Sequence, residues 1–61
     1  MRNGVQPEAV GRYSVMRLRG GVMTAGYLRP GYRRNTYAVH GPINLIDADV
    51  EWATPVALIQ P

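Results

Sequence analysis

The 61-residue chain has no cysteine, no phenylalanine and no lysine, and only one tryptophan, one histidine and one serine. Without cysteine there is no disulfide framework and no thiolate zinc site. A single histidine, His40, has no second histidine or cysteine with which to complete a metal set. No apolar run approaches the roughly 18 residues of a membrane-spanning helix. The opening stretch, "MRNGVQPEAVGRY", lacks the apolar centre of a signal peptide. These absences predict a soluble, non-membrane protein made in the cytoplasm, with no cofactor and no metal.

Aliphatic residues are also sparse. Valine, isoleucine and leucine number 14 of 61, little above the roughly 20% below which chains stay disordered. A domain of this length buries only about 60% of its unfolded surface. With neither disulfide nor metal to staple it, oligomerisation or docking on a partner is the usual remedy.

What is present is arginine. Seven arginines against four acids give a net charge of +3. Arginine without lysine has two readings: the codon bias of a GC-rich genome, or selection for planar, bidentate pairing with carboxylate or phosphate. A charge of +3 is modest for a dedicated nucleic-acid binder of this size.

Periodicity points to strands. Residues 1–11, with Gly4, Pro7 and Gly11, have no clean period and read as an extended N-terminal arm; residues 12–61 read as one small β domain. "RYSVMRLR", residues 12–19, alternates, and "VMTAGYL", residues 22–28, follows it across Gly20-Gly21, the signature of a hairpin. Gly26 within the second strand predicts a bulge or a close backbone approach. "RPGY", residues 29–32, reads as a type II turn with Pro30 and Gly31 at its centre, and residues 33–40 as a third strand.

"INLIDADVEW", residues 43–52, alternates from Ile46 to Trp52. Ile46, Ala48, Val50 and Trp52 fall on one face and Asp47, Asp49 and Glu51 on the other, as in a half-buried strand. A short helix capped by Asp47 is the competing assignment. "VALIQ", residues 56–60, reads as a short last strand. The sum is an all-β fold: a small antiparallel sheet of four to five short strands, curled into a barrel or sandwich.

The chemically loudest stretch is "GYLRPGYRRNTYAVHG", residues 26–41, with three tyrosines and three arginines. Tyr27 and Tyr37 flank the expected turn. Sharing a face, they would form a stacking platform beside Arg29, Arg33 and Arg34, as in single-strand nucleic-acid binders. They would equally serve as core residues in place of phenylalanine, with the arginines solvated. If the acidic strand pairs with residues 33–40, Arg34 meets the acids in cross-strand ion pairs. Alternatively, the acidic ridge of one copy meets the arginine hairpin of the next, head to tail.

Asp47-x-Asp49-x-Glu51 lacks the glycine turn and distal glutamate of a calcium loop. Ser14 and His40 have no evident third group with which to form a nucleophilic triad. Neither pattern supports an enzyme. Trp52 is either a core anchor or an interface hot spot, since Trp, Tyr and Arg are enriched at hot spots.

The reading favoured by the sequence is a small, non-enzymatic structural or adaptor protein of a larger assembly, with a phage virion (capsid decoration, head–tail or tail) as its setting and the host cytoplasm as its place of synthesis. Its partners are other subunits or copies of itself, met through Arg29, Tyr32, Arg33, Arg34, Asp47, Asp49, Glu51 and Trp52, with residues 1–10 and 56–61 reaching neighbouring subunits. The alternative is a small cytoplasmic barrel that binds nucleic acid through Tyr27, Tyr37, Arg29, Arg33 and Arg34. A third class is a small inhibitor or regulator of an enzyme.

Overall fold

A computed structural model describes residues 4–58. It contains one six-stranded sheet and two short 3-10 turns. The strands are β1 (Gly4–Val5), β2 (Tyr13–Leu18), β3 (Met23–Pro30), β4 (Tyr37–His40), β5 (Leu45–Ala48) and β6 (Val50–Pro55), in the spatial order β1-β6-β2-β3-β4-β5. All neighbours run antiparallel except β1, which lies parallel to β6. No helix in the described residues is long and apolar enough to cross a membrane.

The all-β expectation holds, but the ladder does not close into a barrel: β1 and β5 are its two free edges. The sheet curls nonetheless. Residues 45–55 run almost without interruption, first beside β4 and then beside β2, so one stretch of chain links opposite ends of the sheet.

The β2–β3 hairpin forms where expected. Its loop has three residues rather than two: the Gly21 amide donates to the Leu18 carbonyl at 3.0 Å and the Leu18 amide to the Val22 carbonyl at 2.7 Å. Gly20 and Gly21 both lie at φ +91, which side chains with a Cβ avoid. Gly26 produces no bulge, since Ser14 pairs with it in register. It marks the close approach foreseen as the alternative, because a Cβ there would stand 2.8 Å from the His40 carbonyl oxygen.

The second turn differs from its sequence signature. β3 continues through Arg29 and Pro30, which pair with Ala38 and Tyr37. The reversal comes later, in residues 31–36, with Asn35 at φ 62 and the Thr36 amide donating to the Arg33 carbonyl. The third long strand therefore starts at Tyr37 instead of residue 33.

Ala9, Met16, Leu28, Val39 and Ala53 form the core, with Val5, Val10, Leu18, Tyr37, Leu45, Ala48 and Val50 packed around it. Met16 and Leu28 take the place of the absent phenylalanines. Buried Ser14 donates its hydroxyl to the Ala9 and Arg12 carbonyls, 3.0 and 3.1 Å away, so it ties the N-terminal segment to the core.

That segment is not a free arm over residues 4–10. Gly4 and Val5 pair with Trp52 and Ala53, Pro7–Ala9 make a 3-10 turn, and Val10 bridges Leu28. The pattern lacked a period because a two-residue strand and a single 3-10 turn are too short to have one. Residues 1–3 lie outside the described residues. At the other end Val56–Leu58 form a 3-10 turn, not the expected strand, and residues 59–61 again lie outside the described residues.

Candidate functional site

Directly opposed residues in a ladder share a face. One face of the sheet points into the core. The other carries Tyr13, Val15 and Arg17 from β2, Met23, Ala25, Tyr27 and Arg29 from β3, Ala38 and His40 from β4, and Trp52 and Thr54 from β6, matched pair by pair in the register. Tyr13 and Tyr27 pack edge to face, ring centroids 5.2 Å apart at 69°. Tyr13, Met23 and Tyr27 remain 41%, 53% and 56% exposed, although each sits on a hydrogen-bonded strand.

This arrangement regroups the tyrosines. Tyr27 pairs with Tyr13, and Tyr37 lies on the opposite face against the core. The expected Tyr27–Tyr37 platform does not form because strand alternation separates them: Tyr27 opposes His40, and Tyr37 opposes Pro30. Tyr32 stands in the loop, 92% exposed. Arg29 joins the outer face, while Arg33 and Arg34 are exposed in the loop.

The acids do not form one ridge. The 46–52 alternation breaks within β5, where Val39 and Tyr37, two residues apart, oppose Leu45 and Ala48, three apart, and again at Glu51, where consecutive Arg17 and Leu18 oppose Trp52 and Val50. The extra residue in β5 leaves Ile46 turned outward, 65% exposed, rather than sharing a buried face with Ala48 and Val50. Glu51 pairs with Arg17 (Oε1–Nε 3.2 Å) and Asp49 with Arg19 (Oδ2–Nη1 3.6 Å), both near half exposure or beyond. Such pairs contribute only about 0.2–1 kcal/mol each. Arg34, the expected partner of the acids, makes no ion pair among the described residues: the acidic segment does pair with β4, but β4 begins at Tyr37 and Arg34 lies in the loop before it, outside the ladder. Trp52 is half-buried opposite Arg17, neither a core anchor nor fully free.

Asp47 does separate work. Its Oδ1 accepts from the Tyr32 amide (2.7 Å), the Arg33 amide (3.1 Å) and the Thr36 hydroxyl (3.0 Å). Gly31 makes room for this cluster, since a Cβ there would collide with Thr36 Oγ1 and stand 2.6 Å from Asp47 Oδ1. The Arg33 amide, aided by the Thr36 hydroxyl, the Tyr32 amide and the Arg33 charge, holds the Asp47 carboxyl below its ordinary 3.8; desolvation opposes this and is outweighed.

A lowered folded-state value makes the tether complete above pH 3.8 and lost as the pH falls through that lower value. The amide resonances of Tyr32 and Arg33 should therefore titrate together on acidification, with a midpoint below 3.8. The Asp47→Asn chain should show no such titration. A midpoint at or above the ordinary value would contradict the tether.

Ser14 points into the core and His40 lies on the outer face, so the sheet separates the two candidate catalytic groups. Among the described residues no three His, Cys, Asp or Glu side chains gather as a metal set. Tyr13 and Met23 were missed by sequence reasoning; the hairpin register, once fixed, is the signal that finds them. No family model matches the chain, and neither a curated protein nor a solved structure does.

Proposed function

We propose that this chain is a small non-enzymatic component of a protein assembly, and that it docks through the outer face of its sheet. The carrying observation is the half-exposed Tyr13–Tyr27 pair, with exposed Met23 further along the same face of the β2–β3 hairpin. Large apolar side chains grouped on a rigid surface are characteristic of docking sites, and tyrosine flanked by arginine is typical of hot spots. Arg17 and Arg29 supply the flanks. The narrower setting, a phage virion, is inferred from the small size and arm-like ends of the sequence, and no motif carries it.

Nucleic-acid binding is less well supported. An edge-to-face pair covers one ring face with the other ring's edge, which leaves a single platform in place of a run of stacking surfaces.

Hydroxyl-radical labelling of the chain in its native complex, compared with the purified chain, tests the proposal. Tyr13, Met23 and Tyr27 should be protected in the complex. Equal labelling in both samples sinks it, as does a chain that migrates in native extract at its own 6.8 kDa. Tight, salt-sensitive binding to an unspecific oligonucleotide would reverse the ranking.

A further inference from the structure

An open groove of about 530 Å³ crosses the outer surface of β4, within the usual size range of ligand sites. Ala38 is in its lining, with Arg29 directly opposite on β3 and exposed Ile46 coming from β5. Tyr32, His40 and Asn44 complete the polar part. No acidic side chain lines it.

Three of the chain's four acidic side chains are occupied nearby. Asp47 is held by the loop amides and the Thr36 hydroxyl, and Asp49 and Glu51 by Arg19 and Arg17. Arg29 makes no ion pair among the described residues. The groove thus combines an apolar surface with an uncompensated guanidinium whose planar fork suits a carboxylate.

We propose that this groove seats an extended acidic segment of a partner protein, with an apolar side chain against Ala38 and Ile46 and a carboxylate on Arg29. The proposal rests on the assembly reading above and gives that partner a chemistry. A peptide fits the groove better than a nucleic-acid strand does. A single arginine among apolar walls suits alternating apolar and acidic side chains, whereas a phosphate backbone needs a track of cations.

The test is fluorescence anisotropy of the full chain with a short labelled peptide alternating valine and glutamate. The same peptide with lysine for glutamate, and a single-stranded oligonucleotide, are the other probes. The acidic peptide should bind saturably and the lysine peptide should not. Arg29→Gln should weaken binding about fivefold and flatten its salt dependence. Ile46→Asp, at an exposed site, should weaken it further by placing a carboxylate beside Arg29.

Arg34→Gln, in the loop and outside the groove, should change nothing. Absence of acidic-peptide binding, equal binding of both peptides, or preference for the oligonucleotide overturns the groove proposal and leaves the labelling test of the tyrosine face standing. Loss of binding in Met23→Glu but not in Arg29→Gln would move the peptide to that face and overturn the groove assignment.

Discussion

A chain lacking residues 1–10 is expected to lose its cooperative fold. Removal of this stretch strips Ala9 from the core and Val5 and Val10 from its margin. It also removes the β1–β6 pairing, the Gln6 amide's bond to the Ala53 carbonyl, and one of the two carbonyls that accept the buried Ser14 hydroxyl. Two half-buried valines and the buried Ala9 methyl come to about 2–4 kcal/mol. The whole stability of a domain this size is about 3–9 kcal/mol. Circular dichroism on heating should show a broad, early or absent transition. A truncated chain that melts as sharply as the parent, and within a few degrees of it, would return the segment to the status of a removable arm.

Leu28→Ala should be the most damaging single substitution in the sheet. Leu28 is fully buried on the central strand β3, bridges Val10, and its carbonyl accepts the Gly11 amide at 2.7 Å. Truncation of a buried leucine costs about 2–5 kcal/mol. In a domain of 60–100 residues each 1 kcal/mol lowers the Tm by about 4–8 °C, so a drop of about 10 °C or more follows. Leu28→Met, which nearly conserves volume, should cost less than about 1.5 kcal/mol. Urea and thermal unfolding of the pair check this. Near-equal stability of the two variants would place the core elsewhere.

Strand content was legible in the sequence wherever alternation was clean, and register was not. A two-residue turn at Gly20-Gly21 would set Tyr13 against Leu28. The observed loop also takes in Arg19, and that one-residue slip sets Tyr13 against Tyr27. The outer-face cluster hangs on it. The acidic strand failed differently. Its seven-residue alternation was real in sequence, but the chain changes partners between β5 and β6, and irregularities within β5 and at Glu51 reset the faces.

"RPGY" carried the composition of a type II turn, yet β3 pairs through Pro30 and the reversal passes to residues 31–36, fastened by Asp47. That fastening joins residues distant in sequence, so no local pattern announces it. Arg29 was identified as a site residue from the sequence alone; His40, which in the sequence had no partner for a metal set or a triad, became part of the groove only when β4 was placed beside β3.

The position of β6 has a consequence for how the protein folds. β6 lies between β1 and β2 although it follows all the other described strands in sequence, and Gly4 pairs with Trp52. The β2–β5 meander can form between neighbours in sequence, but β1 has no partner, and Met16 and Ala9 lack the Ala53 side of their core, until Val50–Pro55 dock. Pairings between such distant residues carry a loop-closure cost and slow folding. Until then the sheet is incomplete and has an open apolar flank, the condition in which strand edges recruit neighbours. The interval before β6 docks, more than the finished molecule, is when this sequence is most exposed to misassembly.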